Sequence, residues 1–149
     1  MKKSLTSLVS SFAIIGLFIS SQLNALESDR EQQVTWSADG NSTMQIIENL
    51  RILEMTTNVI VNQGSLEIKG DKAVFEYEAS TNVLRKVKVY GNPVTYQQQL
   101  DTDDSGVSGF SNSLTLSSNN SEETILELFG NAKIHSPNST ISCNSIIYI

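Results

Sequence analysis

The sequence has very few of the residues that bind transition metals or act as catalytic nucleophiles. Its 149 residues include one cysteine, Cys143, and one histidine, His135. A single cysteine cannot form an intramolecular disulfide, and zinc sites that need several Cys and His ligands are excluded. No Gly-Xaa-Ser-Xaa-Gly nucleophile elbow is present. We therefore expect a protein that is not an enzyme and holds no metal or cofactor, with Cys143 as a small buried residue.

Positive charge is also scarce. The chain has 10 Lys and Arg residues against 16 Asp and Glu residues, which gives a formal net charge of −6 at pH 7. Binding to nucleic acid needs clustered basic side chains, so a nucleic-acid partner is excluded. Apolar residues make up 39% of the chain and charged residues 17%, a composition that favours a packed core over disorder.

The N-terminus resembles an export signal. Lys2 and Lys3 precede an apolar stretch, Leu8–Ile19, and Leu23-Asn24-Ala25 follows it. The stretch is shorter than the ~20 residues that cross a bilayer, and the small residue after it is typical of a signal-peptide cleavage site. We predict cleavage near Ala25 and export to the periplasm. The predicted segments are a signal peptide over 1–25, a lead-in over 26–33 and one domain over 34–149.

Apolar and polar residues alternate from Val34 onward, in short runs separated by Gly, Asn, Asp and Ser. Leu66–Lys69 and Val87–Tyr90 are two such runs, and their alternation is typical of strands with one buried face. Met44–Met55 has a partly helical spacing, but its β-branched residues favour two strands with a turn near Glu48-Asn49. The sequence therefore predicts an all-β sandwich, roll or barrel, without a substantial helix in the mature chain.

A weak internal repeat indicates that similar units are stacked. Residues 58–75 align without gaps on residues 131–148, and a middle copy begins at Asn92. Each copy reads as a strand led by Asn, a polar turn and further strands. Because one such unit cannot bury its apolar face alone, stacking predicts one continuous core or groove.

Two acidic patterns suggest other kinds of site. Asp101–Gly106 matches the first half of a calcium-binding loop, but Asn112 stands where the bidentate Glu belongs, so we interpret the segment as a solvated hairpin tip. Asp39, Asp71 and Glu76 could pair for glycoside hydrolysis. They fall in turns or on the polar side of strands, where charge usually marks the wet face of a sheet.

Apolar side chains at alternate positions form a stripe through many strands. An ordinary sandwich core explains the stripe, and so does an open roll whose interior accepts lipid. Burying an acyl chain in such a roll contributes ~0.8 kcal/mol per CH₂. Composition alone does not distinguish the sandwich core from the open roll.

Three segments resemble the OstA-like family. Asn58–Ala73 is similar to the family signature, Val89–Gln98 to its glycine-proline strand entry, and Leu128–Ile134 to its later Gly-Asn-Ala strand. The similarity extends from about Val34 to Ile149. The resemblance implies a periplasmic protein that carries lipopolysaccharide between the two bacterial membranes.

The resemblance implies an open, twisted antiparallel β-jelly roll whose interior holds the acyl chains of lipid A. It also implies that sheet edges join head to tail, with a second copy or with the inner-membrane and outer-membrane components of the transport system. No catalytic residue is implied. By position, the family's lipid-contacting residues fall on Val34, Trp36, Tyr96, Leu114 and Leu116. We add Val61, Leu66 and Ile68 from the same stripe, and we expect edge contacts at Ile146, Ile147 and Tyr148.

The sequence and the resemblance together predict a non-enzymatic periplasmic carrier that binds lipopolysaccharide and bridges the inner and outer membranes for outer-membrane assembly. Family members usually continue beyond the strand in which this chain ends, so we expect a short C-terminal edge. The alternatives are a structural or adhesive secreted β-protein with a closed core, and a carbohydrate- or calcium-binding β-domain. Within the family, a stand-alone copy of the domain that the membrane partners carry is a further possibility.

Overall fold

A computed structural model describes Asp29 and residues 32–99, 106–118 and 124–148. The predicted signal peptide with its cleavage site, and residues 101–105 of the half calcium loop, lie outside the described residues. No helix within the described part of the chain is long and apolar enough to cross a membrane.

The described residues form eight strands in one antiparallel sheet, which confirms the predicted all-β class. The sheet order is β1-β3-β4-β5-β6-β7-β8, and β2 pairs with the other end of β3. Met44–Met55 is divided between two strands as predicted, with Glu48 at the turn in a left-handed conformation (φ 54°). The strands are β1 Thr35–Ser37, β2 Ser42–Ile47, β3 Leu50–Gln63, β4 Leu66–Glu78, β5 Leu84–Gln99, β6 Gly106–Ser118, β7 Thr124–Ser136 and β8 Ser139–Tyr148.

A line of irregular pairing crosses the sheet at one level. Each ladder from β3–β4 to β7–β8 changes register at this level, as between Thr56 and Val59 in the first ladder and between Phe129 and Ala132 in the last. Bulges increase the local twist and bend a strand, so a row of them creases the whole sheet. We call this line the crease. The residues paired along one side of it are Thr56, Lys72, Tyr90, Ser113, Phe129 and Ser145.

The crease divides the sheet into two half-sheets. Half-sheet A contains β2 and residues 50–56, 72–78, 84–90, 113–118, 124–129 and 145–148. Half-sheet B contains β1 and residues 59–63, 66–69, 94–99, 106–110, 132–136 and 139–143. Trp36 of half-sheet B packs on Phe75 of half-sheet A, with ring centroids 4.9 Å apart, so the two halves face each other.

The core lies between the facing half-sheets, because alternate residues of every long strand point inward. Phe75, Ile68 and Leu128 are fully buried, whereas their charged neighbours Glu76, Lys69 and Glu127 lie on the other side of the same strands. The buried apolar residues are Leu53, Val59, Val61, Leu66, Ile68, Ala73, Phe75, Val87, Val89, Val94, Tyr96, Leu114, Leu116, Leu126, Leu128 and Ala132.

The internal repeat has a structural counterpart at the crease. Asn58 and Asn131, the first residues of the two aligned copies, have φ angles of 49° and 50° and occupy the bulges of β3 and β7. Asn tolerates the left-handed conformation better than most residues, because its short amide bonds the local backbone. The repeated Asn therefore marks the places where the backbone bends.

We predict that Asn131→Val destabilises the fold by about 1–3 kcal/mol, because a β-branched side chain strains the left-handed backbone. Asn131→Gly should keep the free energy of unfolding within about 1 kcal/mol of the wild type, since Gly adopts this conformation freely. Urea denaturation measures both. Asn144→Val, in exposed β8, is the matched control. Equal stability of the two Val variants would contradict the role given to the crease.

Candidate functional site

The apolar faces of the two half-sheets meet in the space between them. Leu66 and Tyr96 of half-sheet B and Leu116, Leu126 and Tyr148 of half-sheet A line a common cavity of about 20 Å³. A cavity of that size holds no more than one water molecule. In this conformation the interior is therefore closed around its own side chains.

A second cavity adjoins the first along the tips of the strands. It measures about 150 Å³ and is lined by Val34 and Gln63 on one side and by Leu84, Val87 and Leu116 on the other. Leu116, Gln63 and Thr124 belong to both cavities. The two cavities therefore meet where the strand tips of the two halves approach each other.

The structure brings the eight residues predicted to contact lipid into this interior or to its margin. Val61, Leu66, Ile68, Tyr96, Leu114 and Leu116 are buried in the core, and Val34 packs against it. Trp36 is 36% exposed, because β1 is a three-residue edge strand with only β3 beside it among the described residues. Their shared location is compatible with lipid contact, but the contact itself stays a prediction.

Trp36 covers one end of the interior. Its ring lies 4.9 Å from the ring of Phe75 and 6.2 Å from that of Tyr77, measured between centroids. The Tyr77 hydroxyl is buried and has no hydrogen-bond partner among the described residues, and burial raises the pKa of this phenol. The Tyr77 hydroxyl is thus a buried polar group beside the aromatic rings at this end of the interior.

A polar network lies beside the smaller cavity, at the strand tips of half-sheet B. The Asp29 carboxylate accepts hydrogen bonds from the Ser65 backbone N–H (3.0 Å), the Ser65 hydroxyl (2.7 Å) and the Gln98 amide (3.0 Å). The Tyr96 hydroxyl donates to the side-chain amide oxygen (Oε1) of Gln98 at 3.1 Å. Gln98 is 6% exposed, so all of its polar atoms must be satisfied inside the protein.

The β3–β4 turn is shaped to receive Asp29. Gly64 has a φ angle of 58°, and a Cβ atom at this position would lie 2.1 Å from the Asp29 carboxylate. A side chain here would displace the aspartate. Burial raises the pKa of Asp29, but the hydrogen bonds from Ser65 and Gln98 together outweigh burial and leave the pKa below its ordinary value. Burial, assisted by the neighbouring Tyr148 phenol, raises the pKa of Tyr96 to about 12.

This network was not predicted from the sequence. The burial of Gln98 was predictable, because this residue continues the inward alternation of Val94 and Tyr96. It is therefore a polar residue on a buried face. No sequence pattern indicates the role of Asp29. It lies outside the strands, and its contact with Ser65 depends on the folded β3–β4 turn.

The predicted edge residues lie on β8, but they do not share a face. Ile146 and Tyr148 pair with the inward residues Leu128 and Leu126, whereas Ile147 points outward and is 61% exposed. The expectation that Cys143 is buried is wrong: it is exposed, because β8 is an edge strand with only β7 beside it in the described structure.

The acidic residues considered for other chemistry do not converge. Asp39 accepts a hydrogen bond from the Asn58 amide at 2.8 Å, and Glu76 pairs with Lys86 at 3.7 Å on the outer face. Asp71 lies in β4. In the ranges that the structure describes, no three His, Cys, Asp or Glu side chains are grouped to hold a metal ion. His135 bonds the Thr140 hydroxyl at 2.8 Å on the surface.

Comparison with known proteins finds relatives that are all described as lipopolysaccharide transport or export proteins. The sequence profile of the family described as "LptA/(LptD N-terminal domain) LPS transport protein" matches residues 37–149. The chain is 31% identical over 130 residues to the lipopolysaccharide export system protein LptA of Haemophilus influenzae, an alignment that covers 87% of this chain and 72% of the relative. The crystal structure of LptH, described as the LptA-homologous periplasmic component of the lipopolysaccharide transport device of Pseudomonas aeruginosa, superposes with a TM-score of 0.65. That match has 20% identity, covers 81% of this chain and 78% of the other, and shows a shared fold.

We predict that Asp29→Asn lowers the free energy of unfolding by about 1–2 kcal/mol at pH 6, since the charged hydrogen bonds are weakened. The folded-state pKa of Asp29 is below its unfolded value, so its contribution is present above about pH 4 and is lost as the pH falls through the folded pKa. Urea denaturation between pH 6 and pH 2.5 should therefore show the wild type and Asp29→Asn converging. Asp39→Asn controls for loss of an aspartate elsewhere. A pH-independent difference for Asp29→Asn would contradict the network.

Proposed function

We propose that this chain, which belongs to the LptA/LptD N-terminal domain family of lipopolysaccharide transport proteins, is a periplasmic carrier of lipopolysaccharide. Its interior receives acyl chains, and its sheet edges link it to further copies or to the membrane components at either end of the transport route. The observation that carries the proposal is the inward apolar stripe that continues from the first to the last strand of an unclosed sheet.

The binding energy comes from burial of apolar surface. Each methylene that leaves water contributes ~0.8 kcal/mol, so part of one acyl chain is enough for firm binding. The protein has a net charge of −6, which opposes close contact with an anionic headgroup. The proposed complex therefore holds the acyl chains inside and leaves the headgroup in solvent.

Loading requires the half-sheets to separate, because the cavities described above are smaller than an acyl chain needs. The described ends of the sheet, β1 with β2 and β8, have no pairing with each other. The halves are thus able to move apart about the crease without breaking a ladder of backbone hydrogen bonds. A closed barrel would have to break one.

Both edges of the sheet are suited to adding another strand. β1, β2 and β8 contain no charged residue, and charged side chains are the usual protection of an exposed edge. The inward stripe reaches both edges, where Met44 of β2 and Ile141 of β8 are 61% and 52% exposed. A copy joined at either edge would extend the apolar interior into the next molecule.

We predict that a photoreactive residue in place of Leu116 crosslinks to lipopolysaccharide, because Leu116 lines both cavities between the half-sheets. The same residue in place of Thr115 should give at least tenfold less adduct, because Thr115 is the adjacent outward residue of β6, paired with Lys88 and Glu127. Irradiation of the purified proteins followed by gel electrophoresis measures the adduct.

The lipid-free glycan of the same lipopolysaccharide is the ligand control, and it should give no adduct at either position. A folded Leu116 variant that gives no adduct would favour the closed core of a structural β-protein. Adduct with the glycan alone would favour a carbohydrate-binding domain.

We predict that Ser145→Lys weakens self-association about fivefold, which corresponds to about 1 kcal/mol at an edge strand. Ser113→Lys is the matched control, because Ser113 lies in the same outward row through Phe129 but in the interior strand β6. Sedimentation velocity over a range of concentrations measures the association constant. An equal effect of both substitutions would argue against β8 as the joining edge.

A further inference from the structure

Among the described residues, the Tyr77 hydroxyl is the buried side-chain polar atom that has no hydrogen-bond partner. A hydroxyl that leaves water and gains no bond inside the protein costs free energy. Phenylalanine would fill nearly the same space without that cost. Because buried polar groups in native proteins are almost always paired, this exception calls for an explanation in function.

The side chains around Tyr77 do not satisfy its hydroxyl. Tyr77 packs against the core from β4, and the centroid of the Trp36 ring lies 6.2 Å from that of its own ring. Its paired residues are Arg51 on β3 and Leu84 on β5. Leu84 is apolar, and the Arg51 guanidinium donates to the side-chain oxygen of Asn82. The hydroxyl is therefore a donor among neighbours that offer it no acceptor.

This hydroxyl lies beside the space that the proposed function assigns to lipid. Leu84, the partner of Tyr77 across β4 and β5, lines the cavity of about 150 Å³ together with Val34 and Leu116. Val34, Leu116 and the adjoining Trp36 are three of the predicted lipid contacts. An acyl chain that enters between the strand tips would therefore run close to Tyr77.

The chemistry of the hydroxyl selects the group that would satisfy it. Burial raises the pKa of Tyr77 above its ordinary value, so the phenol stays protonated and acts as a hydrogen-bond donor at neutral pH. A donor in an apolar site needs an acceptor that arrives on an otherwise apolar ligand. An acyl chain is such a ligand, because the bond that joins it to a sugar places a carbonyl oxygen at its polar end.

We propose that Tyr77 donates a hydrogen bond to the carbonyl oxygen at the polar end of an acyl chain bound between the half-sheets. The inference rests on the proposed lipid-carrying function and adds to it a residue that distinguishes acyl chains from plain hydrocarbon chains. Because the hydroxyl is unpaired without lipid and paired with it, the contact favours the complex over the lipid-free protein.

Removal of the hydroxyl should change stability and affinity in opposite directions. Tyr77→Phe keeps the ring and removes the unpaired atom, so the lipid-free protein should melt about 2–5 °C higher in a calorimetric scan. The same variant should bind rough lipopolysaccharide about three- to tenfold more weakly. Energy transfer from Trp36, the only tryptophan of the sequence, to a fluorescently labelled lipopolysaccharide measures the affinity.

Tyr90→Phe is the matched control. Tyr90 is 39% exposed on the outer face, where the Nζ atom of Lys88 lies 5.2 Å from the centroid of its ring. Loss of this hydroxyl should change neither the melting temperature nor the affinity for lipopolysaccharide.

A pair of synthetic lipid A analogues tests the acceptor itself. Both carry chains of equal length on the same sugar hydroxyls, through ester bonds in one analogue and through ether bonds, which have no carbonyl oxygen, in the other. Tyr77→Phe should weaken binding of the ester analogue and leave binding of the ether analogue unchanged. An equal loss for both analogues would overturn the proposed contact.

Two further results would overturn the contact and leave the carrier function intact. One is a Tyr77→Phe variant that binds lipopolysaccharide as tightly as the wild type. The other is a melting temperature that does not rise, because the hydroxyl would then have a partner in the lipid-free protein. Failure of the wild type to bind lipopolysaccharide would overturn the carrier function and this contact with it.

Discussion

The crease is the constraint on which the rest of the structure depends. Five ladders change register at one level, so a single antiparallel sheet bends into two facing halves and buries its apolar face against itself. A flat sheet of the same sequence would expose that face to solvent or to a partner. Because the sheet bends instead of closing into a barrel, its two ends stay unpaired in the described structure, and no ladder there joins the outer ends of the two halves.

The architecture was predictable from the sequence because strand alternation is a local signal. The all-β class and the division of Met44–Met55 into two strands followed from side-chain pattern and turn residues alone. The repeat predicted stacked units, but it did not reveal that Asn58 and Asn131 bend the backbone. That role depends on φ angles, which neither composition nor periodicity encodes.

The site was only partly predictable, because inward alternation identifies which residues are buried and not how much space they leave. Leu114 and Leu116 were correctly expected to face inward, but whether that space holds lipid depends on separation of the two halves. The Asp29 network was invisible, since its partners are 36 and 69 residues away along the chain. The burial expected of Cys143 failed for a related reason, because an edge strand has no second neighbour to cover it.

A carrier of this kind has to satisfy two opposed requirements. Without lipid, its apolar interior must be hidden from water, since an open groove would expose residues such as Ile68 and Leu128 and favour aggregation. With lipid, the same surface must be exposed to the acyl chain at small cost. A sheet creased across its middle meets both requirements, because side chains pack between the halves and, among the described residues, no backbone ladder joins their outer ends. Opening then breaks no ladder of backbone hydrogen bonds. The side chains that separate from each other pack against the lipid instead.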